Sequence, residues 1–192
     1  MRAINAFKEK RNGTLKGRTC ADGRSQCTLY NKSQTASSTV STDALVISII
    51  VDALEARDVA TADILAGEYL KAFMDNDVIM NFVGPSIKIL CQLNPKHRVF
   101  LAQENVVDVL YVRLIKALYG CVKSALLWYE LFTKHLKDMG FELNPYDPWV
   151  ANFMIDDKQC TIAWYVDDTK ISHAYPNVVT CREPLCYRQY AM

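Results

Sequence analysis

The chain has 192 residues, 51% of them hydrophobic and 22% charged, with a formal net charge of +1 at neutral pH. That balance excludes a disordered polyelectrolyte and gives no overall signal for a polyanionic partner. The distribution says more: residues 1–35 carry Arg2, Lys8, Lys10, Arg11, Lys16, Arg18, Arg24 and Lys32 against Glu9 and Asp22, a basic arm beside a mildly acidic remainder that suits a nucleic acid or a solvated tail.

Residues 1–40 are polar and rich in Gly, Ser and Thr, and read as strand fragments and loops. Residues 41–58 (STDALVISIIVDALEARD) read as a helix capped by Ser41 or Thr42, with an apolar face that includes Leu45 and Ile49. VATADIL (59–65) is short, apolar and β-rich, and Asp63 inside it is conspicuous because an ionised carboxylate is costly to bury without a partner or a cation. EYLKAFM (68–74) reads as a short helix, and the segments 77–83, 87–93 and 106–114 read as strands. Residues 124–140 form the clearest helix: Ser124 is placed to cap it, Ala125, Trp128, Phe132, Leu136 and Met139 make one stripe, and Gly140 stops it.

WVANFMI and CTIAWYV flank Asp156-Asp157-Lys158, so 149–166 reads as a β-hairpin, and TKISH as a further strand leaving a turn at Asp167-Asp168. Residues 174–192 show no period and are expected to be poorly ordered. The order of elements indicates α+β, with helices on one face of a mostly antiparallel sheet.

The N-terminal MRAINAFKEKRNG has no apolar leader core, and the longest apolar run, Ala44 to Val51, is interrupted by Ser48 and too short to span a bilayer. Seven cysteines without a CxxC pair read as reduced thiols, so the expected setting is intracellular and cytoplasmic, the sequons at Asn12 and Asn31 being chance matches. His97, His135 and His173 are isolated and suggest no zinc-type cluster.

Adjacent carboxylates, the pattern at Asp167-Asp168, repel each other unless a cation neutralises them. Asp63 is the candidate third carboxylate, and oxygen donors without His or Cys select Mg²⁺ or Mn²⁺. Carboxylates that hold two such ions can activate an attacking oxygen and stabilise a leaving one in phosphoryl transfer. The plainer alternative for Asp167-Asp168 is a solvated β-turn, which is also the reading for Asp156-Asp157.

Tyr165-Val166-Asp167-Asp168 resembles the Y-x-D-D box of reverse transcriptases. LIKALYGCVKSALLWYELF (114–132) resembles the L-x-K-A-L-Y-G-L-K-Q-S-P-R-A-W-Y segment of copia-type LTR retrotransposon polymerases, and KGRTCADGRSQ (16–26) their K-A-R-L-V-A-K-G-x-x-Q fingers segment. The motifs occur in family order over residues 8–173.

The resemblance implies a polymerase palm-like core over 41–173, a partial fingers segment over 1–40 and a divergent tail over 174–192. It implies catalytic, metal-holding roles for Asp63, Asp167 and Asp168, with Tyr165 in support and Mg²⁺ or Mn²⁺ as cofactor. Lys16 and Arg18 match basic residues that hold the incoming triphosphate, and Gly120 and Ser124 match the segment that supports the nascent base pair. Tyr69 is placed as the aromatic under the sugar, although it lies six residues after Asp63 where the family has five; the register that starts at Asp58 puts a carboxylate there instead.

The implied activity is RNA-directed DNA synthesis from deoxynucleoside triphosphates on a primer–template. The implied associates are integrase and RNase H of one polyprotein, in a virus-like particle. GCVKS replaces G-L-K-Q-S, and neither a thumb nor RNase H follows, so the chain reads as a fragment whose own catalytic competence is open. The alternatives are a non-catalytic, retroelement-derived nucleic-acid-binding fragment and an unrelated Asp-metal transferase acting on a sugar nucleotide.

Overall fold

A computed structural model describes residues 1–31, 35, 39–63, 72–166 and 168–180, with Asp63 and Thr180 described by their backbone alone. The chain divides into two compact units, Met1–Ala36 with Leu70–Leu127, and Ser37–Tyr69 with Trp128–Met192. The architecture is α+β with antiparallel sheets.

In the first unit, β1 (Ala3–Glu9) and β2 (Leu15–Ala21) form a two-stranded antiparallel ribbon. Its N-terminal end is fastened to β4 (Phe73–Val83): the Met1 ammonium donates to the Ile79 carbonyl at 2.9 Å, and the Asn81 amide donates to the Met1 carbonyl at 2.7 Å. β4 pairs with β6 (Val107–Lys116), which pairs with β5 (Leu101–Glu104). Ala21, Met80 and Cys121 are buried together, and Ile87, Cys91 and Leu110 make a second small core.

Two sequence expectations are corrected here. Residues 87–93 belong to a helix, α2 (Pro85–Leu93), not a strand. Proline at the first helical position presets the backbone, and Ile87 and Cys91 repeat at i, i+4 toward the core, a period that a short apolar run conceals. Of the helix expected over 68–74, residues 68–71 lie outside the described set, and Phe73 and Met74 open strand β4.

In the second unit, α1 (Thr42–Leu54) starts where expected, with the Ser41 hydroxyl accepting from the Ala44 amide at 3.1 Å. The sheet runs β3 (Asp58–Asp63), β10 (Asp168–His173), β9 (Lys158–Tyr165), β8 (Val150–Ile155) and β7 (Glu142–Leu143), with all neighbours antiparallel. The expected hairpin is present: Asp156 and Asp157 both have positive φ (48° and 58°), the backbone of the two-residue turns that match strand twist. Helix α3 (Ser124–Asp138), which belongs to this unit from Trp128 onward, ends in a Schellman arrangement, in which the Phe141 amide donates to the Leu136 carbonyl and Gly140 has φ 93°.

The expectation of helices on a single face is also corrected. Thr169 faces Trp164 in the register and Lys170 faces Ala163, so Trp164 and Lys170 lie on opposite faces of the sheet. Trp164 meets Phe132 of α3 edge-on at 5.1 Å, whereas Lys170 is bound to α1, so the two helices cover opposite faces. Trp128, Phe132, Trp149 and Trp164, with Leu136, form a largely aromatic core on the α3 side, and all five are buried. In the segment expected to be irregular, α4 (Pro176–Thr180) follows β10; residues 181–192 lie outside the described set. No helix among the described residues is long and apolar enough to cross a membrane.

Candidate metal-binding strand ends

The YVDD hairpin grows out of the aromatic core. β9 carries Cys160, Ile162 and Trp164 into that core, each fully or almost fully buried, and reaches solvent at Tyr165. The chain turns at Val166 and returns as β10 from Asp168, so Asp168 belongs to the strand and stands opposite Tyr165. Val166 has φ 55°, a left-handed conformation that its branched side chain disfavours. The indole of Trp128 donates to the Val166 carbonyl at 3.0 Å and fastens this strained corner to the core.

On its other edge, β10 pairs with β3, and the register sets Asp168 directly opposite Asp63. Opposed residues of an antiparallel pair have Cα atoms about 4.5–5.5 Å apart. Two carboxyl-bearing residues distant in sequence are thereby placed side by side at one end of the sheet. The Asp168 side chain is exposed and has no hydrogen-bond or ion-pair partner among the described residues. It lines a cleft of about 500 Å³ together with Val40, Leu45, Thr61, Tyr165 and Lys170.

A hard divalent cation fits this donor chemistry: the register brings two carboxyl-bearing residues together, and one of them is exposed and without a charged partner among the described residues. Asp167 and Tyr69 lie outside the described residues, as does the Asp63 side chain. Among described residues no group of three His, Cys, Asp or Glu side chains gathers around one point.

The other expected residues belong to the first unit. Lys16 and Arg18 are exposed on β2, and the register singles out one further member of the basic arm: Lys8 sits directly across from Lys16. Strand alternation puts Lys8, Lys16 and Arg18 on one face of the ribbon, and none has a side-chain partner among the described residues. Like charges directly opposed on a ribbon cost stability, which a polyanion would relieve. The signal for Lys8 was its cross-strand position, which depends on the turn at Gly13 and not on any local motif.

Gly120 has φ 89°, and a β-carbon there would lie 1.9 Å from the Ala21 carbonyl oxygen. Its close backbone neighbour is therefore the chain's own β2 end, where the Ala21 amide donates to the Tyr119 carbonyl at 2.7 Å. Ser124 does not act as an external cap. It is the first residue of α3, 1% exposed, and its hydroxyl donates to the Leu118 carbonyl at 2.8 Å and accepts from the Leu118 amide at 3.2 Å, closing the loop before the helix. Lys123, one place off the family position, is ion-paired with Asp75 and lies over the Tyr30 ring at 5.3 Å.

In comparisons with known proteins, no family model, no curated protein and no solved structure matches this chain.

Proposed function

We propose that the chain is a palm-type nucleotidyl-transfer core of reverse-transcriptase kind, similar to copia-type polymerases, acting on a primer–template and deoxynucleoside triphosphates. The observation that carries this reading is the pairing of Asp168 with Asp63 beside the YVDD turn. Asp63 and Asp168, together with Asp167, which lies outside the described residues, would hold Mg²⁺ or Mn²⁺. When bound, such ions lower the pKa of an attacking hydroxyl and offset charge on the leaving phosphate.

The chain's own part is to hold the carboxylates on rigid strands. The buried β9 and the Trp128 indole fix the turn, and Tyr165 stands across from Asp168 on the exposed end. Lys8, Lys16 and Arg18 supply a cationic face suited to phosphate oxygens.

Primer extension on an RNA template with Mg²⁺ or Mn²⁺ tests the proposal. Asp168→Asn and Asp63→Asn are expected to cut nucleotide incorporation at least 100-fold; activity that survives both changes contradicts it.

The opposed Lys8 and Lys16, without side-chain partners among the described residues, favour a second reading, a nucleic-acid-binding module without catalysis. It requires salt-sensitive binding of single-stranded RNA, weakened by K8A or K16A and unaffected by D168N, with no incorporation by the unaltered chain.

A further inference from the structure

Asp168 has a potential competitor on its own strand. Lys170 lies two residues further along β10 and lines the same cleft. Residues two apart on a strand are separated by about 6.6 Å, a span that the flexible four-carbon stem of lysine covers. A free Lys170 ammonium could therefore fold back onto the Asp168 carboxylate and neutralise it.

It is held elsewhere. The ammonium is ion-paired with Asp52 of α1 and donates to the Ser48 hydroxyl at 3.1 Å, and Ser48 in turn donates to the Leu45 carbonyl. The side chains of Lys170 and Asp52 are only 12% and 7% exposed. The Asp52 oxygens find no regular hydrogen-bond donor among the described residues, Oδ2 meeting Lys170 as an ion pair. A buried ion pair of this kind is a poor source of stability compared with apolar side chains of similar size. Its position beside an exposed carboxylate that has no partner among the described residues points to electrostatic control of that carboxylate.

We propose that Asp52, assisted by Ser48, is a keeper for Lys170: it sequesters the ammonium on α1 and so leaves Asp168 available to a divalent cation. Without Asp52, Lys170 becomes the internal counter-ion of Asp168 and competes with the metal. The inference rests on the proposed cation at Asp168 and makes Asp52 and Ser48 positioning residues.

The test uses the full chain and Mn²⁺, with bound ion read by electron paramagnetic resonance and folding checked by circular dichroism. D52N is expected to weaken Mn²⁺ binding about tenfold, K170M not to weaken it, and D52N/K170M to restore the affinity of the unaltered chain. If D52N and K170M weaken binding alike, or the double change fails to restore it, the pair is only structural and the proposal is overturned.

A crystal structure of D52N is the readout that needs no metal. Lys170 Nζ is expected within about 4 Å of the Asp168 carboxylate, and an ammonium that stays at residue 52 overturns the keeper role. Absence of Mn²⁺ binding by the unaltered chain would instead sink the proposed function, while the D52N structure still decides the fate of Lys170. Should D52N not fold, S48A is read in the same way, with a smaller shift expected; unchanged affinity and an unmoved Lys170 there overturn the proposal.

Discussion

Val166 occupies the most demanding backbone position beside the candidate site. A β-branched residue at φ 55° stores strain of about 1–3 kcal/mol, and the Trp128 indole bond to its carbonyl is part of what maintains it. Val166→Gly is therefore expected to raise stability by about 1 kcal/mol in chemical denaturation, although glycine's unfolded-state entropy offsets some of the gain. Trp128→Phe removes the anchor while keeping most of the packing, and an expected loss of about 1–2 kcal/mol checks it.

Asp22 is the residue with the clearest pH signature. The Arg24 side chain, and then the Arg24 amide, bond to its carboxylate and hold its pKa down to about 2, against an ordinary value of 3.8. A depressed carboxylate stabilises the fold at pH above its unfolded value, and that contribution is lost as pH falls from about 4 toward 2. Thermal melting across this window is expected to decline less steeply in D22N than in the unaltered chain. Because the Arg24 side chain is exposed, added salt should shrink the difference.

At the scale of elements, what was legible in the sequence was what local chemistry determines. The 3.6-residue stripe of Trp128, Phe132 and Leu136, the Gly140 stop and the Asp156-Asp157 turn each specify their structure within a few residues, and all are present. The segment 87–93 was misread because a short apolar run fits strand and helix equally, and the deciding feature, Pro85 after Gly84 at φ 67°, lies just outside it. The face covered by α1 was hidden for a different reason: Asp52 and Lys170 meet across more than a hundred residues, and nothing in either segment announces the other. The β8–β9 turn offers a test of the local rule. Asp157→Gly relieves a positive φ of 58° and is expected to stabilise the hairpin by about 0.5–1 kcal/mol, measured as a shift in denaturation midpoint.

At the scale of the whole molecule, each unit interleaves two stretches of chain. The N-terminal ribbon is tied to residues 72–127 by contacts such as Met1 to Asn81 and Ala21 to Tyr119, non-local pairings with no sequence signature. The cysteines give a global readout of folding. Burial pushes the Cys160 thiol up to about 11 and raises that of Cys121, whereas Cys27 is exposed. Alkylation at pH 8 followed by peptide mass spectrometry is expected to label Cys27 rapidly, and Cys160 and Cys121 only after unfolding.

The pairing of Asp63 with Asp168 is also a whole-molecule feature, since it depends on β3 and β10 meeting from distant parts of the chain. Neither residue's neighbours encode that register; the sequence shows only two carboxylates and a strand pattern around each. Mn²⁺ broadening of backbone amide signals tests the shared site most directly. Substoichiometric Mn²⁺ is expected to erase the signals of Ala62, Asp63, Asp168 and Thr169 first, with D168N abolishing the effect. Broadening centred elsewhere, or unchanged by D168N, would contradict a cation shared by these two strand ends.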